Sequence, residues 1–351
     1  MMKGIARRSL LAGAAAAGFV RIPLGWAEPS KKVRFAGAAA VARPDQGFMF
    51  LGIPAGFYNT LMIDADFVTV AGSAAAIQLL ASNQVQLAHV GIMELLAIKQ
   101  RALRLPVRTV YLQEWGSGYE IVLPSTSPLQ SVADLRGRRV GVLSLASGAV
   151  PLVKAMLRHA NIEPASVELL PVGAGAQALA ALRSRQVDAL SLFRGSHAAL
   201  ENLGIELRYL TVPLPSSVLA VSEEFLRQDR AAVVRALQGV VLNSAYMETS
   251  PTAAVRRYWD LFGKPGGNEE QALRDNAHLI QRSSELWKQM TDTRPWGQLD
   301  DDAWRKLIDY MGPEAGIKLS NTELSAVYTN ELTEDVNRVD VTPAVKAAQQ
   351  A

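Results

Sequence analysis

Residues 141–149, Gly-Val-Leu-Ser-Leu-Ala-Ser-Gly-Ala, run from a β-rich segment into a helical one through side chains that are mostly small. Such a turn bares the free backbone N–H groups of the first helical turn, where the helix dipole favours an anion or a polar ligand atom. Gly173-Ala174-Gly175-Ala176-Gln177-Ala178 repeats the arrangement and fits G-x-G-x-x-A, the dinucleotide fingerprint. That fingerprint also calls for an acid at the end of the next strand, about 20 residues after its first glycine. Ser191 and Leu192 stand there instead. That weakens the fingerprint, and an exported, cofactor-binding oxidoreductase stays open only as the alternative function, because twin-arginine export carries folded cofactor enzymes.

Other chemistry is harder to find. His89, His159, His197 and His278 are the only histidines, and the nearest two are 38 residues apart. Nothing reads as a metal site. His89 sits in an apolar strand and reads as a core histidine. There is no G-x-S-x-G nucleophile elbow. With Cys 0, disulfides, thiolate metal ligands and a cysteine nucleophile are all excluded. No catalytic residue, metal or cofactor is assigned.

The formal charge of +3 misleads. Residues 1–27 carry Lys3, Arg7, Arg8 and Arg21 and no acid, so the rest of the chain is close to neutral. A near-neutral body lacks the electrostatic footprint of a nucleic-acid binder. The same N-terminus reads as an export signal. It has a basic start, an Ala/Gly-rich apolar run over 9–20, and small residues at Gly25 and Ala27 that predict cleavage after Ala27. Arg7-Arg8-Ser9-Leu10-Leu11 resembles the twin-arginine export signal. The expected location is periplasmic.

The elements that must position a site show an internal repeat. Residues 70–88 align with 172–190 at a constant offset of 102: Val70, Ala74, Ala76, Leu80, Ser82, Gln84 and Val85 recur as Val172, Ala176, Ala178, Leu182, Ser184, Gln186 and Val187. Each copy reads as strand, small-residue turn, helix, polar turn, strand, a βαβ unit with parallel strands. Two similar α/β lobes follow. The expected division is 1–27 signal, 28–123 lobe 1, 124–217 lobe 2, 218–340 lobe 1 return with C-terminal helices, and 341–351 flexible tail. Helices are predicted over 228–248, 250–262, 268–291, 300–311 and 320–334. Asp300 and Ser320 are the predicted N-caps of the last two, and Ser131 caps a short helix in lobe 2.

Residues 127–193 resemble the second lobe of periplasmic substrate-binding proteins of ABC importers, in the branch for nitrate, sulfonates, taurine and thiamine precursors. The motifs are Asp134-Leu135-Arg136-Gly137-Arg138-Arg139-Val140 and Ala181-Leu182-Arg183-Ser184-Arg185-Gln186-Val187-Asp188-Ala189, the latter with Arg185 where the family usually has glycine. Gly56-Phe57-Tyr58 resembles a first-lobe motif, and 216–256 resembles the returning strand and long helix. The likeness covers most of 33–262. It implies a two-lobed clamshell of type II, each lobe a mostly parallel sheet flanked by helices. LysR-type regulators share this fold, but an export signal stands where their helix-turn-helix would be. A related branch makes a thiamine precursor with a cysteine-rich motif, which this chain lacks.

In such a clamshell the ligand lies between the lobes, at strand C-termini and helix N-termini. The residues expected there are Gln46 (beside Arg43 and Asp45), Gly72, Ser73, Ile92, Trp115, Tyr119, Ser147, Gly148, Ala149, Gly173, Ala174, Phe193 and Arg194. Trp115 offers a flat platform, Arg194 an anion partner and Glu114 a cation partner. Glu94 is a weaker candidate, and Asp188 reads as structural. The implied function is a receptor, not an enzyme. It would take a small organic anion or related molecule: a sulfonate, nitrate, an aromatic carboxylate or a pyrimidine. Its implied partners are that ligand and the importer's permease, with no nucleic acid, membrane contact only through the permease, and a monomeric state. A role beside a sensor or another transporter class also stays open.

Overall fold

The computed structural model describes residues 30–116, 118–145, 147–291 and 294–351. The expected export signal and its cleavage site lie outside them. Among the described residues, ten strands form two sheets. The first holds β1 (Lys31–Gly37), β2 (Ile63–Thr69), β3 (Leu87–Gly91), β4 (Val107–Trp115) and β10 (Pro215–Ser222), in the order β2-β1-β3-β10-β4. The second holds β5 (Tyr119–Pro124), β6 (Arg139–Val142), β7 (Glu168–Pro171), β8 (Ala189–Phe193) and β9 (Leu207–Leu210), in the order β7-β6-β8-β5-β9. In each sheet one strand runs against the rest, β10 in the first and β5 in the second. This is the mostly parallel, two-lobed plan that the repeat predicts.

The repeat is visible residue by residue. β3 and β8 are the same five positions displaced by 102. Helices α1 (Ser73–Ala81) and α4 (Ala176–Arg183) precede them. The polar turns between helix and strand place Asn83 at φ 54° and Arg185 at φ 58°, again 102 apart. The left-handed conformation there explains why glycine is usual at position 185: it alone adopts that region without a Cβ clash.

Further helices complete each lobe: α2 (Ile92–Arg101) in the first, α3 (Ala149–His159) and α5 (Arg194–Asn202) in the second. After β10 the chain is helical through α6 (Arg230–Thr249), α7 (Pro251–Phe262), α8 (Glu269–Thr291) and α9 (Asp301–Ala315). Asp300 caps α9, accepting from the N–H groups of Asp302 and Ala303. Ser320 and Glu323 form a capping box, as do Ser131 and Asp134. The helix after Ser320 is shorter than predicted and ends at Ser325.

Three expectations change. The first crossing comes earlier than 123, because β5 pairs with β8 and β9 and so belongs wholly to lobe 2. The chain crosses between Trp115 and Tyr119, and recrosses before Pro215, where the Gly116 N–H donates to the Leu214 carbonyl at 2.9 Å. Next, the C-terminal helices are not an appendage of lobe 1. Helix α8 packs on α5, and α9 packs on α3, both in lobe 2. Finally, residues 341–351 are not a loose tail. Helix α10 (Thr342–Gln349) docks on α6 through Ala344 and Ala348, both buried. Alanines leave room for close helix approach without a large apolar stripe to announce it.

Candidate functional site

A cavity of about 270 Å3 lies between the lobes. Strand ends and helix starts from both lobes build it. The 3-10 turn Pro44–Met49 after β1 supplies Asp45 and Gln46, with Arg43 just before it. The end of β3 supplies His89, the start of α2 supplies Glu94, and β4 supplies Glu114. Lobe 2 adds Tyr119, Gly148, Phe193 and Arg194.

The absence of a side chain at Gly148 has a steric reason. A Cβ on Gly148 would lie 2.9 Å from the Tyr119 ring and 3.5 Å from the Glu94 carboxylate, so a side chain there would fill the gap between lobes. Ser147 turns to its own helix, its Oγ accepting from the Ala149 N–H at 3.1 Å. Ala149 is buried in the core.

Of the expected residues, Gln46, Ser73, Tyr119, Gly148, Phe193 and Arg194 line the cavity. Ser73 also accepts from the Gly91 N–H at 3.1 Å, tying α1 to the end of β3. Gly72, Ile92, Trp115, Ser147, Ala149, Gly173 and Ala174 are not in the lining. Ile92 is core. Gly72 and Gly173 have φ of 93° and 71°, so glycine serves the turn. Trp115 faces a separate hollow, under the Arg294 guanidinium at 4.5 Å from the ring centroid. Side chains alternate along a strand, so Glu114 takes the cavity and its neighbour Trp115 the other face.

Several lining residues carried no signal as such. Ser216 and Ser217 come from the second crossing, Ser283 and Leu286 from α8, and Leu307 and Met311 from α9. Their helical spacing looks like ordinary core. His89 is both core and wall: it packs edge-on to Phe48, and its Nε2 is buried without a partner.

Charge in the cavity is tightly arranged. Arg43 forks onto Asp45, Nε to Oδ1 at 3.0 Å, and lies 4.5 Å over the Phe193 ring across the cleft. Arg194 pairs with buried Glu120 and, at 3.0 Å, with Glu285 of α8. It also stacks over Tyr209. The Arg194 guanidinium is thus already held by two carboxylates, which removes the free anion partner that the sequence suggested. Glu114 accepts from Ser217 Oγ at 2.8 Å and Ser216 Oγ at 3.4 Å. Burial raises its pKa against those hydrogen bonds. Burial likewise pushes the Tyr119 phenol up to about 12 and the His89 imidazole down to about 4. Among the described residues no group of three or more His, Cys, Asp or Glu is placed to hold a metal. No described helix is long and apolar enough to cross a membrane.

Solved structures share this architecture. The alkanesulfonate-binding protein of Xanthomonas axonopodis pv. citri, bound to MOPS, is 17% identical with a TM-score of 0.56, over 86% of this chain and 100% of that one. The periplasmic aliphatic sulphonate binding protein of Escherichia coli is 15% identical with a TM-score of 0.59, over 88% and 92%. The desulfurization enzyme DSZB is also similar, at 15% identity and a TM-score of 0.55 over 88% and 99%. At these identities the likeness establishes the periplasmic-binding-protein fold and nothing finer. No curated protein sequence matches the chain. The family described as NMT1/THI5 like matches residues 43–254, more than half of the chain, and the chain belongs to that family.

Proposed function

We propose that the protein is a periplasmic solute-binding receptor that carries a small molecule to an ABC-type importer. The observation that carries this is the cavity itself: it is lined from both lobes and lies beside two adjacent chain crossings. A ligand there is held by lobe closure, and the closed form is what a permease would recognise. The receptor turns nothing over and acts as a monomer. Two of the similar structures are binding proteins for sulfonates, which supports the receptor role. The oxidoreductase alternative is less well supported, because Gly173 and Gly175 stand outside the cavity lining.

Tryptophan fluorescence and melting temperature test this proposal. Trp287 is buried next to the lining residue Leu286 and is the natural reporter. The protein is titrated with sulfonates, nitrate, carboxylates, amines, pyrimidines, and nicotinamide and flavin cofactors. A saturable response to a small solute that is recovered unchanged supports a receptor. A response confined to a redox cofactor overturns it.

A further inference from the structure

The charges that face the cavity leave an imbalance. Both arginines in its wall are already neutralised: Arg43 by Asp45, Arg194 by Glu120 and Glu285. Two further wall carboxylates, Glu94 and Glu114, form no salt bridge with any described residue. Among the described residues, the hydrogen-bond donors to Glu114 are the hydroxyls of Ser216 and Ser217. A buried carboxylate without a salt-bridge partner is costly unless a cation or strong donor meets it.

A second observation points the same way. Gln46 is 7% exposed, lines the cavity, and its Oε1 is buried with no partner. It is an acceptor awaiting a donor. Apolar side chains, including Leu152, Leu214, Leu286, Leu307 and Met311, make up much of the remaining wall, beside Ser73, His89, Tyr119, Ser216, Ser217 and Ser283. The cavity therefore offers acceptors together with hydrocarbon.

We infer that the ligand is a small organic cation, a protonated amine or amidine on a flat or apolar body, whose N–H groups bond to Glu94, Glu114 and Gln46. This rests on the receptor proposal and reverses the charge of ligand that Arg194 suggested. Sulfonate, nitrate and carboxylate would each be placed against two acids without salt-bridge partners, with both arginines of the described wall already paired.

Three isosteric probes separate the possibilities: benzamidine (cationic), benzamide (neutral) and benzoate (anionic). Each is titrated calorimetrically into the protein and into Glu94→Gln and Glu114→Gln, with melting temperatures recorded to show that the variants fold. The expected result is that benzamidine binds at least tenfold tighter than benzoate. Each substitution should weaken benzamidine tenfold or more and leave benzamide within about twofold. Benzoate binding as tightly as benzamidine overturns the charge assignment and leaves the receptor standing. Equal loss of all three probes in the variants also overturns it, since the glutamates would then only shape the cavity. Absence of saturable binding by every probe, together with silence across the wider solute panel, overturns the receptor proposal and this inference with it.

Discussion

Arg194 of lobe 2 and Glu285 of helix α8 meet at 3.0 Å where the C-terminal helices close over the cavity. The contact is one rung of a ladder. Further along the same two helices Glu201 holds His278 at 2.8 Å and Arg282 at 3.2 Å. On another face of lobe 2, Arg158 of α3 pairs with Glu314 of α9, and His159 stacks on Tyr310 at 3.9 Å. Lobe 2 is thus clasped by two helices that follow lobe 1 in the chain.

The two carboxylates on Arg194 should differ sharply in worth. Glu120 is 1% exposed, so Glu120→Ala strands a buried guanidinium and should cost about 3–5 kcal/mol. The Glu285 side chain is 38% exposed and solvent-screened, so Glu285→Ala should cost about 1 kcal/mol or less. Urea unfolding midpoints measure both. Similar costs for the two would show that Glu120 is not the buried partner described here. Glu285→Ala combined with Glu201→Ala should also widen the radius of gyration in solution scattering, as the clasp on α5 loosens.

Gly148 sets the room between the lobes. Gly148→Val puts branched bulk against Tyr119 and Glu94 and should reduce affinity for any cavity ligand at least tenfold. The overlap with the Tyr119 ring should also cost about 1–3 kcal/mol of stability, so the melting temperature is recorded to show that the variant is folded. Calorimetry on the variant decides the matter, and undiminished binding would move the ligand away from this gap.

His89 makes stability pH-dependent in a predictable direction. Its imidazole stays neutral in the folded chain down to about 4, whereas an unfolded histidine takes up a proton near pH 6.5. Between those values the unfolded state binds more protons. Stability is therefore whole above about pH 6.5, falls as pH drops, and levels off below about pH 4. His89 lines the cavity and is only partly buried, so the loss should be on the order of 2 kcal/mol and not the full value of the shift. Buried His197 is lowered in the same direction, again chiefly by burial, and adds to the slope. The stability difference between wild type and His89→Phe, followed across this range, should vary with pH. A flat difference curve would rule out the assignment.

Arg185→Gly should stabilise the protein. An arginine at φ 58° pays a Cβ clash that glycine avoids, worth about 1 kcal/mol. The Arg185 backbone carbonyl still accepts from Arg139 Nη2 at 2.7 Å, so no contact is lost. The same change at Asn83 should gain less, because asparagine tolerates this conformation. Thermal unfolding of the two variants gives the comparison.

What the sequence disclosed was what depends on local patterns. The repeat located β3, β8 and the turns at Asn83 and Arg185, and cap chemistry located Ser131, Asp300 and Ser320. Strand ends yielded Gln46, Ser73, Gly148 and Phe193 as lining residues. What stayed hidden depends on tertiary pairing. Tyr119–Pro124 is a strand in either lobe until its partners are known. Leu286, Leu307 and Met311 have the spacing of core residues whether they face a neighbour or a cavity. Arg194 looks like an anion partner until Glu120 and Glu285 appear beside it.

The single reversed strand in each sheet has a consequence for how the protein is made. All five strands of lobe 2 fall within Tyr119–Leu210, so that sheet is complete once a contiguous stretch has left the ribosome. In lobe 1, β4 hydrogen-bonds to the sheet only through β10, which ends at Ser222. Vectorial synthesis usually favours the N-terminal unit. Here the order inverts: the lobe that begins second finishes first, and the lobe that begins first waits for the strand that joins β4 to it.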